Sequence, residues 1–258
     1  MSVVLSTHEI TLLAGERTLC RDLSISLARG ERWGLLGRNG AGKTTLLHTL
    51  ARLRRPAAGR IVLEGQALST LSQGEIARSV GLLLQDQTDA LPATVLETAL
   101  LGRHPHAKSR LFDDDEDLQS ARQALDLLGL TQLAARKVST LSGGERQRLA
   151  LATLLTQAPR LLLLDEPSNH LDLGFQSTLV SLLRAATEPA DSDAGATLLM
   201  ATHDINLAAR LCNRIILMDG KGAALAGTAS EILTLENLTH AYDCEIRAAQ
   251  GDGRTLFY

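Results

Sequence analysis

The sequence predicts an α/β fold with a mostly parallel core sheet, an antiparallel β portion at the N-terminus and an inserted α-helical subdomain. Three observations carry that prediction. Short aliphatic runs (Leu161–Leu164, Thr197–Ala201 and Arg214–Met218) alternate with helical stretches, the pattern of buried parallel strands joined by crossover helices. Near the start, His8–Leu13 and Asp22–Leu27 alternate with period two across the turn Ala14-Gly15-Glu16, as an antiparallel pair does. From Leu68 to about Leu155 the pattern turns helical and more polar. One domain over 1–258 is expected, with a core at 1–85 and 157–258 and a helical subdomain at about 86–156.

The remaining elements follow in order. Arg32–Leu36 reads as a short buried strand that runs into a glycine-rich turn, and a helix is expected from Lys43 to about Leu53. Pro56–Gly59 closes that helix before the strand Arg60–Leu63. Pro92, Pro105 and the acidic run Asp113–Asp117 break up the helical stretch. The acidic run reads as a helix start, where negative charge meets the positive end of the helix dipole. Pro189–Gly195 reads as a surface loop.

With 258 residues, 45% of them apolar, the chain can bury a sizeable core, which excludes disorder. Fifty-three leucines against six aromatic residues make that core aliphatic. A net charge of −3 leaves no electrostatic footprint for nucleic acid or an anionic membrane surface. Cys20, Cys212 and Cys244 lack metal-ligand spacing and read as three reduced thiols of a cytosolic protein. No signal peptide is visible, and no run approaches the roughly 18 apolar residues of a spanning helix, so the chain by itself is expected to be soluble.

Three motifs carry chemistry. Gly37-Arg38-Asn39-Gly40-Ala41-Gly42-Lys43-Thr44, followed by Thr45, fits the phosphate-binding loop G-x-x-x-x-G-K-[ST] between a strand and a helix. Its glycines let backbone N–H groups curl around phosphates. Lys43 reaches the β- and γ-phosphates of ATP, and the Thr44 hydroxyl binds Mg²⁺. Leu161–Leu164 followed by Asp165 and Glu166 is a buried strand with two carboxylates at its C-terminal end. Asp165 suits Mg²⁺, held through water, and Glu166 suits the attacking water. Ser142-Gly143-Gly144-Glu145 reads as a capping box, Ser142 at the N-cap and Glu145 three residues on. Its two glycines leave the first-turn N–H groups bare, a second anion-binding helix start. One chain could hardly close both helix starts on one nucleotide, which points to a homodimer that sandwiches ATP.

From about residue 3 to 250 the sequence resembles the ATP-binding cassette (ABC) ATPases. Gly37–Thr44 resembles Walker A, Gln85 the Q-loop glutamine, Leu141–Glu145 the signature, Asp165-Glu166 Walker B, Ser168–Asp172 the D-loop and His203 the switch histidine. The resemblance implies that Gln85 ligates Mg²⁺ and reports on a membrane subunit, and that His203 contacts the γ-phosphate. It also implies that Ser142 contacts the γ-phosphate held by the opposite subunit. His170 is expected to pack or hydrogen-bond within the D-loop, and Arg146 and Arg148 to be solvated or structural. Gly102-Arg103-His104-Pro105-His106 and the tail Glu231–Leu238 with Tyr242 resemble the ATPases of iron-siderophore, haem and cobalamin importers. Such a subunit would lie peripherally on the cytoplasmic side of the inner membrane, beneath two integral-membrane permease subunits served by a periplasmic binding protein. The competing readings are a soluble ABC ATPase of DNA repair or translation, and the ATPase subunit of an exporter. One departure stands out. The family commonly places an adenine-stacking aromatic about 29 positions before the Walker A lysine, and Ala14 stands there. The base should then be held loosely, with weak discrimination between ATP and GTP and tighter ATP binding in Ala14→Tyr.

Overall fold

The computed structural model describes residues 2–85, 92–106, 115–188, 195–251 and 254–258. The N-terminal part contains β1 (Val3–Ala14), β2 (Arg17–Leu23), β3 (Ser26–Ala28), β4 (Arg32–Gly37), α1 (Lys43–Leu50), β5 (Ala58–Leu63), β6 (Gln66–Ala67), α2 (Gln73–Ser79) and β7 (Val80–Leu83). Helical elements follow: α3 (Val95–Leu100), a 3₁₀ segment at Leu101–His106, α4 (Asp115–Leu127), two short 3₁₀ turns and α5 (Gly143–Gln157). The chain then runs through β8 (Leu161–Asp165), α6 (Leu173–Thr187), β9 (Thr197–Ala201), α7 (Ile205–Leu211), β10 (Arg214–Met218) and β11 (Ala224–Thr228). It ends in α8 (Ala229–Ile232), α9 (Leu235–Tyr242) and the hairpin β12 (Ala248–Gly251) and β13 (Arg254–Phe257).

The central sheet has the order β11-β10-β4-β9-β8-β7, parallel throughout except for β11. Its parallel strands β10, β4, β9 and β8 are buried on both faces, which is why they read as aliphatic runs. In β8, Leu162 and Leu164 point into a core shared with α5 and α6, while Leu161 and Leu163 point into a second core shared with α1 and the antiparallel sheet. β9 alternates in the same way, with Leu198 and Met200 on one side and Leu199 and Ala201 on the other. Leu163 is fully buried, so Leu163→Ala should lower the free energy of unfolding by about 2–5 kcal/mol in a denaturant titration. A loss below about 1 kcal/mol would show that this core can collapse around the gap.

The second sheet is antiparallel, β2-β1-β5-β6 with β3 also paired to β1. The strand expected at Asp22–Leu27 is broken after Leu23, and the Thr7 side chain explains the break. Its hydroxyl donates to the Leu23 carbonyl (2.9 Å) and accepts from the Ile25 N–H (3.1 Å), bridging the gap between β2 and β3. α1 ends at Leu50 rather than near Leu53, because the chain turns left-handed at Arg52 (φ 56°). Within the stretch that reads as helical, Val80–Leu83 is instead a strand on the edge of the core sheet. α4 starts at Asp115 with Glu116 and Asp117 in its first turn, in keeping with an acidic helix start. Asp113, Asp114 and most of the Pro189–Gly195 loop lie outside the described residues. Cys20, Cys212 and Cys244 are free thiols. Among the described residues no helix is long and apolar enough to cross a membrane.

Candidate functional site

β4 delivers the chain from the middle of the parallel sheet into the loop that starts α1. Two glycines there have backbone reasons. Gly37 has φ 146°, and a Cβ on it would lie 2.5 Å from the Met218 carbonyl oxygen. Gly42, the N-cap of α1, has φ 109°, and its Cβ would meet that of Leu19 at 2.9 Å. The first turn of α1 carries no acidic residue, so nothing opposes an anion at its N-terminus. Lys43 is buried and donates from Nζ to the carbonyl oxygens of Gly37 (2.8 Å) and Arg38 (3.4 Å). Burial holds its pKa below the ordinary lysine value, against the opposing pull of Glu166 and Asp165.

The acidic half of the site comes from the C-terminal ends of neighbouring parallel strands, where ligands of open α/β sheets sit. The Thr44 hydroxyl donates to Asp165 Oδ2 at 2.6 Å, tying the helix start to the end of β8. Glu166 follows in a left-handed conformation (φ 50°), its N–H donating to the Ala201 carbonyl at the end of β9 (2.9 Å). That turn aims its carboxylate at His203, with Oε2 2.8 Å from Nδ1. The Glu166 side chain is 7% exposed and that of His203 is 62% exposed. Gln85 stands just beyond β7. Asn39, Gly40, Gly42, Lys43, Thr44, Thr45, Gln85, Asp165, Glu166 and His203 line one cavity of about 500 Å³. Each motif placed at a strand end thus reaches the same cavity.

The donor set fits the group the motifs imply. The Thr44 hydroxyl, the Asp165 carboxylate and the Gln85 amide oxygen are hard oxygen donors, the kind Mg²⁺ takes together with phosphate oxygens and water. These three would hold the ion, which would neutralise phosphate charge. For the nucleotide, the helix N-terminus and Lys43 can cradle phosphates, and the buried Glu166 carboxylate can accept a proton from water while His203 fixes its orientation.

The structure does not bring the signature segment to this cavity. Ser142–Glu145 starts α5, and the capping box is formed: the Glu145 N–H donates to Ser142 Oγ (3.3 Å) and the Ser142 N–H to Glu145 Oε2 (2.7 Å). The Glu145 carboxylate therefore serves its own helix, and its pKa is held below the ordinary value by those Ser142 hydrogen bonds. None of Ser142, Gly143, Gly144 and Glu145 lines the cavity. A Cβ on Gly144 would lie 3.1 Å from the His170 carbonyl, so the signature turn abuts the D-loop of its own chain. Arg146 donates to the Ser139 carbonyl (3.2 Å), and Arg148 donates to that of Leu128 (3.2 Å) with its guanidinium 5.2 Å from the Phe175 ring. Both fill the structural role expected of them.

Arg17, Leu19 and Asn169 also line the cavity. Asn169 belongs to the D-loop stretch read from the sequence, but Arg17 and Leu19 carry no local signal, because only the β1–β2 hairpin brings them there. The contact of the tail with the phosphate loop was not legible either. Tyr242 tucks its hydroxyl against the Gly37 backbone without a well-formed hydrogen bond, and burial pushes its pKa up to about 12. Beside it, Arg38 pairs with Asp243 (3.2 Å), so α9 braces the phosphate loop from behind.

The family model for ABC transporters matches residues 20–169. This chain belongs to the ABC transporter family. The Iron(3+)-hydroxamate import ATP-binding protein FhuC of Bacillus subtilis (strain 168) is 36% identical to it, over 94% of this chain and 89% of that one. The Cobalamin import ATP-binding protein BtuD of Halobacterium salinarum (strain ATCC 29341 / DSM 671 / R1) is 37% identical, over 91% of this chain and 57% of that one. A solved structure described as "An inward-facing conformation of a putative metal-chelate type ABC transporter" superposes with a TM-score of 0.82 at 30% identity, covering 99% of this chain and 96% of that one. The fold is accordingly the P-loop fold of ABC type. ABC transporter ATP-binding proteins are ATPases coupled to transport, and this chain is one of them. The transport reading therefore prevails over the soluble ABC ATPase of DNA repair or translation.

Proposed function

We propose that this ABC ATPase powers import of a large metal-chelate compound, a ferric siderophore before haem or cobalamin, into a bacterial cell. The observation that carries the reading is its likeness, along nearly the whole of both chains, to a ferric hydroxamate import subunit and to a metal-chelate type transporter. Two copies act together beneath two permease subunits, on the cytoplasmic side of the inner membrane, with a periplasmic binding protein delivering the cargo. The homodimer is supported by the separation of the two anion-binding helix starts: the α1 end faces the cavity and the α5 end does not. A second copy would supply Ser142 and the bare N–H groups of Gly143 and Gly144 to the nucleotide held by the first. Thr44, Asp165 and Gln85 would hold Mg²⁺. α3, α4 and α5 form the helical arm that carries the signature end toward the partner.

Gln85 stands at the junction of core and arm. Beside it Leu84 is 41% exposed, and on the neighbouring 3₁₀ segment Leu101 is 39% exposed. That segment is rigidly held: Arg103 pairs with Asp117 (2.6 Å), His106 Nε2 lies 2.9 Å from the Gln157 carbonyl oxygen, and Arg78 donates to the Pro105 carbonyl (2.9 Å). An apolar rim on rigid supports suits a short cytoplasmic helix of the permease. The test uses vesicles holding the permease and this subunit, with binding protein and cargo supplied. A ferric hydroxamate siderophore should be taken up in an ATP-dependent way, in preference to haem and cobalamin. Leu101→Asp and His104→Asp should reduce uptake at least tenfold while leaving basal ATPase activity unchanged. Uptake of none of the three would overturn the import reading, and unaltered uptake in both variants would move the docking site elsewhere.

A further inference from the structure

The phosphate end of the cavity is fixed by Lys43, Thr44 and the carboxylates of Asp165 and Glu166. Outside the phosphate loop, the strand-end residues and Asn169 of the D-loop, the lining is Ala14, Arg17 and Leu19 of the β1–β2 hairpin, and this is the wall open to the base of a nucleotide seated there. Leu19 lies directly against the start of α1, since a Cβ on Gly42 would be 2.9 Å from its own. No Phe, Tyr or Trp lines the cavity, and the one aromatic ring among the described lining residues, His203, is held by Glu166 at the hydrolytic end. Ala14 is too short to cover a base, and Leu19 is buried.

Arg17 is the flat group on the hairpin wall. Its Nη2 donates to the Gly220 carbonyl oxygen at 2.5 Å, and Gly220 in turn packs against Ala41 of the phosphate loop. Among the described residues Arg17 makes no ion pair with a carboxylate, and the residue is exposed. One edge of the guanidinium is therefore pinned to the protein, and among the described residues no aromatic ring lies over its faces. A guanidinium stacks on aromatic faces, combining cation–π attraction with planar contact, whereas an ammonium on a flexible stem offers no plane.

We propose that Arg17 is the base platform of this ATPase, its guanidinium stacking on the purine in place of an aromatic ring. This deepens the ATP-site reading above and rests on it. Stacking reads the face of the base and not its hydrogen-bonding edge, so it tolerates different bases. The platform therefore adds affinity for ATP and GTP alike and leaves the discrimination between them weak. Ala14 then needs no ring, because the platform has moved three residues along, to the first residue of β2.

The test compares the affinities of ATP, GTP and inorganic tripolyphosphate, each with Mg²⁺, by calorimetry on the original protein and on Arg17→Lys. Lysine keeps the charge and loses the plane. ATP and GTP should each bind about three- to tenfold more weakly to the variant, while tripolyphosphate, which has no base, binds as before. Unchanged tripolyphosphate binding also reports that the variant is folded. ATP affinity that survives Arg17→Lys overturns the platform. So does a parallel loss for ATP and tripolyphosphate, which would assign Arg17 to the phosphates. Failure of the site reading itself looks different: the original protein would bind neither ATP nor tripolyphosphate, or Lys43→Ala would bind both normally.

Discussion

Glu166→Gln should bind MgATP about as tightly as the original protein and hydrolyse it about 10²- to 10⁴-fold more slowly. The reason is geometric. The Thr44 hydroxyl is hydrogen-bonded to Asp165, whereas the Glu166 side chain is hydrogen-bonded to His203. Its carboxylate is buried, held by the Glu166 N–H bond to Ala201 and aimed at His203. Glutamine keeps the shape and removes the proton acceptor. Binding measured with a non-hydrolysable analogue, beside single-turnover hydrolysis of ATP, separates the two effects. Near-normal turnover would remove Glu166 from the chemistry and leave the Glu166–His203 contact a structural one. His203→Ala, which frees the carboxylate to turn away, should lie between the original and Glu166→Gln in rate.

Lys43→Ala should fail one step earlier, at binding. Lys43 is the buried cation of the cavity, and its hydrogen bonds to Gly37 and Arg38 are ones that phosphate oxygens can replace. Charge-assisted hydrogen bonds are worth about 1.5–3 kcal/mol, or roughly 10- to 100-fold in affinity each. ATP should therefore bind at least tenfold more weakly in equilibrium titration. The melting temperature of the empty protein should not fall, because burial disfavours the charged lysine in the absence of ligand. Weaker binding together with a large drop in melting temperature would instead mean that the loop had lost its structure.

The parts of the molecule that were legible in the sequence share a cause. Leu161–Leu164 and Thr197–Ala201 read as strands because both faces of the central sheet are buried, so every position had to be apolar or small. Gly37–Thr44 and Ser142–Glu145 were legible because backbone geometry and helix capping are local. What escaped is tertiary. Thr7 breaks the Asp22–Leu27 strand with a hydroxyl that reaches across from another strand. The hairpin Ala248–Gly251 and Arg254–Phe257 carries no alternation to read. Its first strand is exposed along its length, and Asn206 of α7 holds the second through two hydrogen bonds of 2.9 Å to the Phe257 backbone. Arg17 looks like any polar residue after a turn until the hairpin folds it over the cavity. Tyr242 marks the tail in the sequence, but its contact with Gly37 appears only once α9 has packed.

Because Ser142 is kept from the cavity on its own chain, a complete nucleotide site requires the association of two copies. Sedimentation of Glu166→Gln with and without MgATP measures it directly, against a chain mass of 27.6 kDa. A nucleotide-dependent shift from one chain to two is expected, abolished when Ser142→Arg is added. A species that stays at one chain while ATP is bound, or a dimer indifferent to Ser142→Arg, would contradict that requirement.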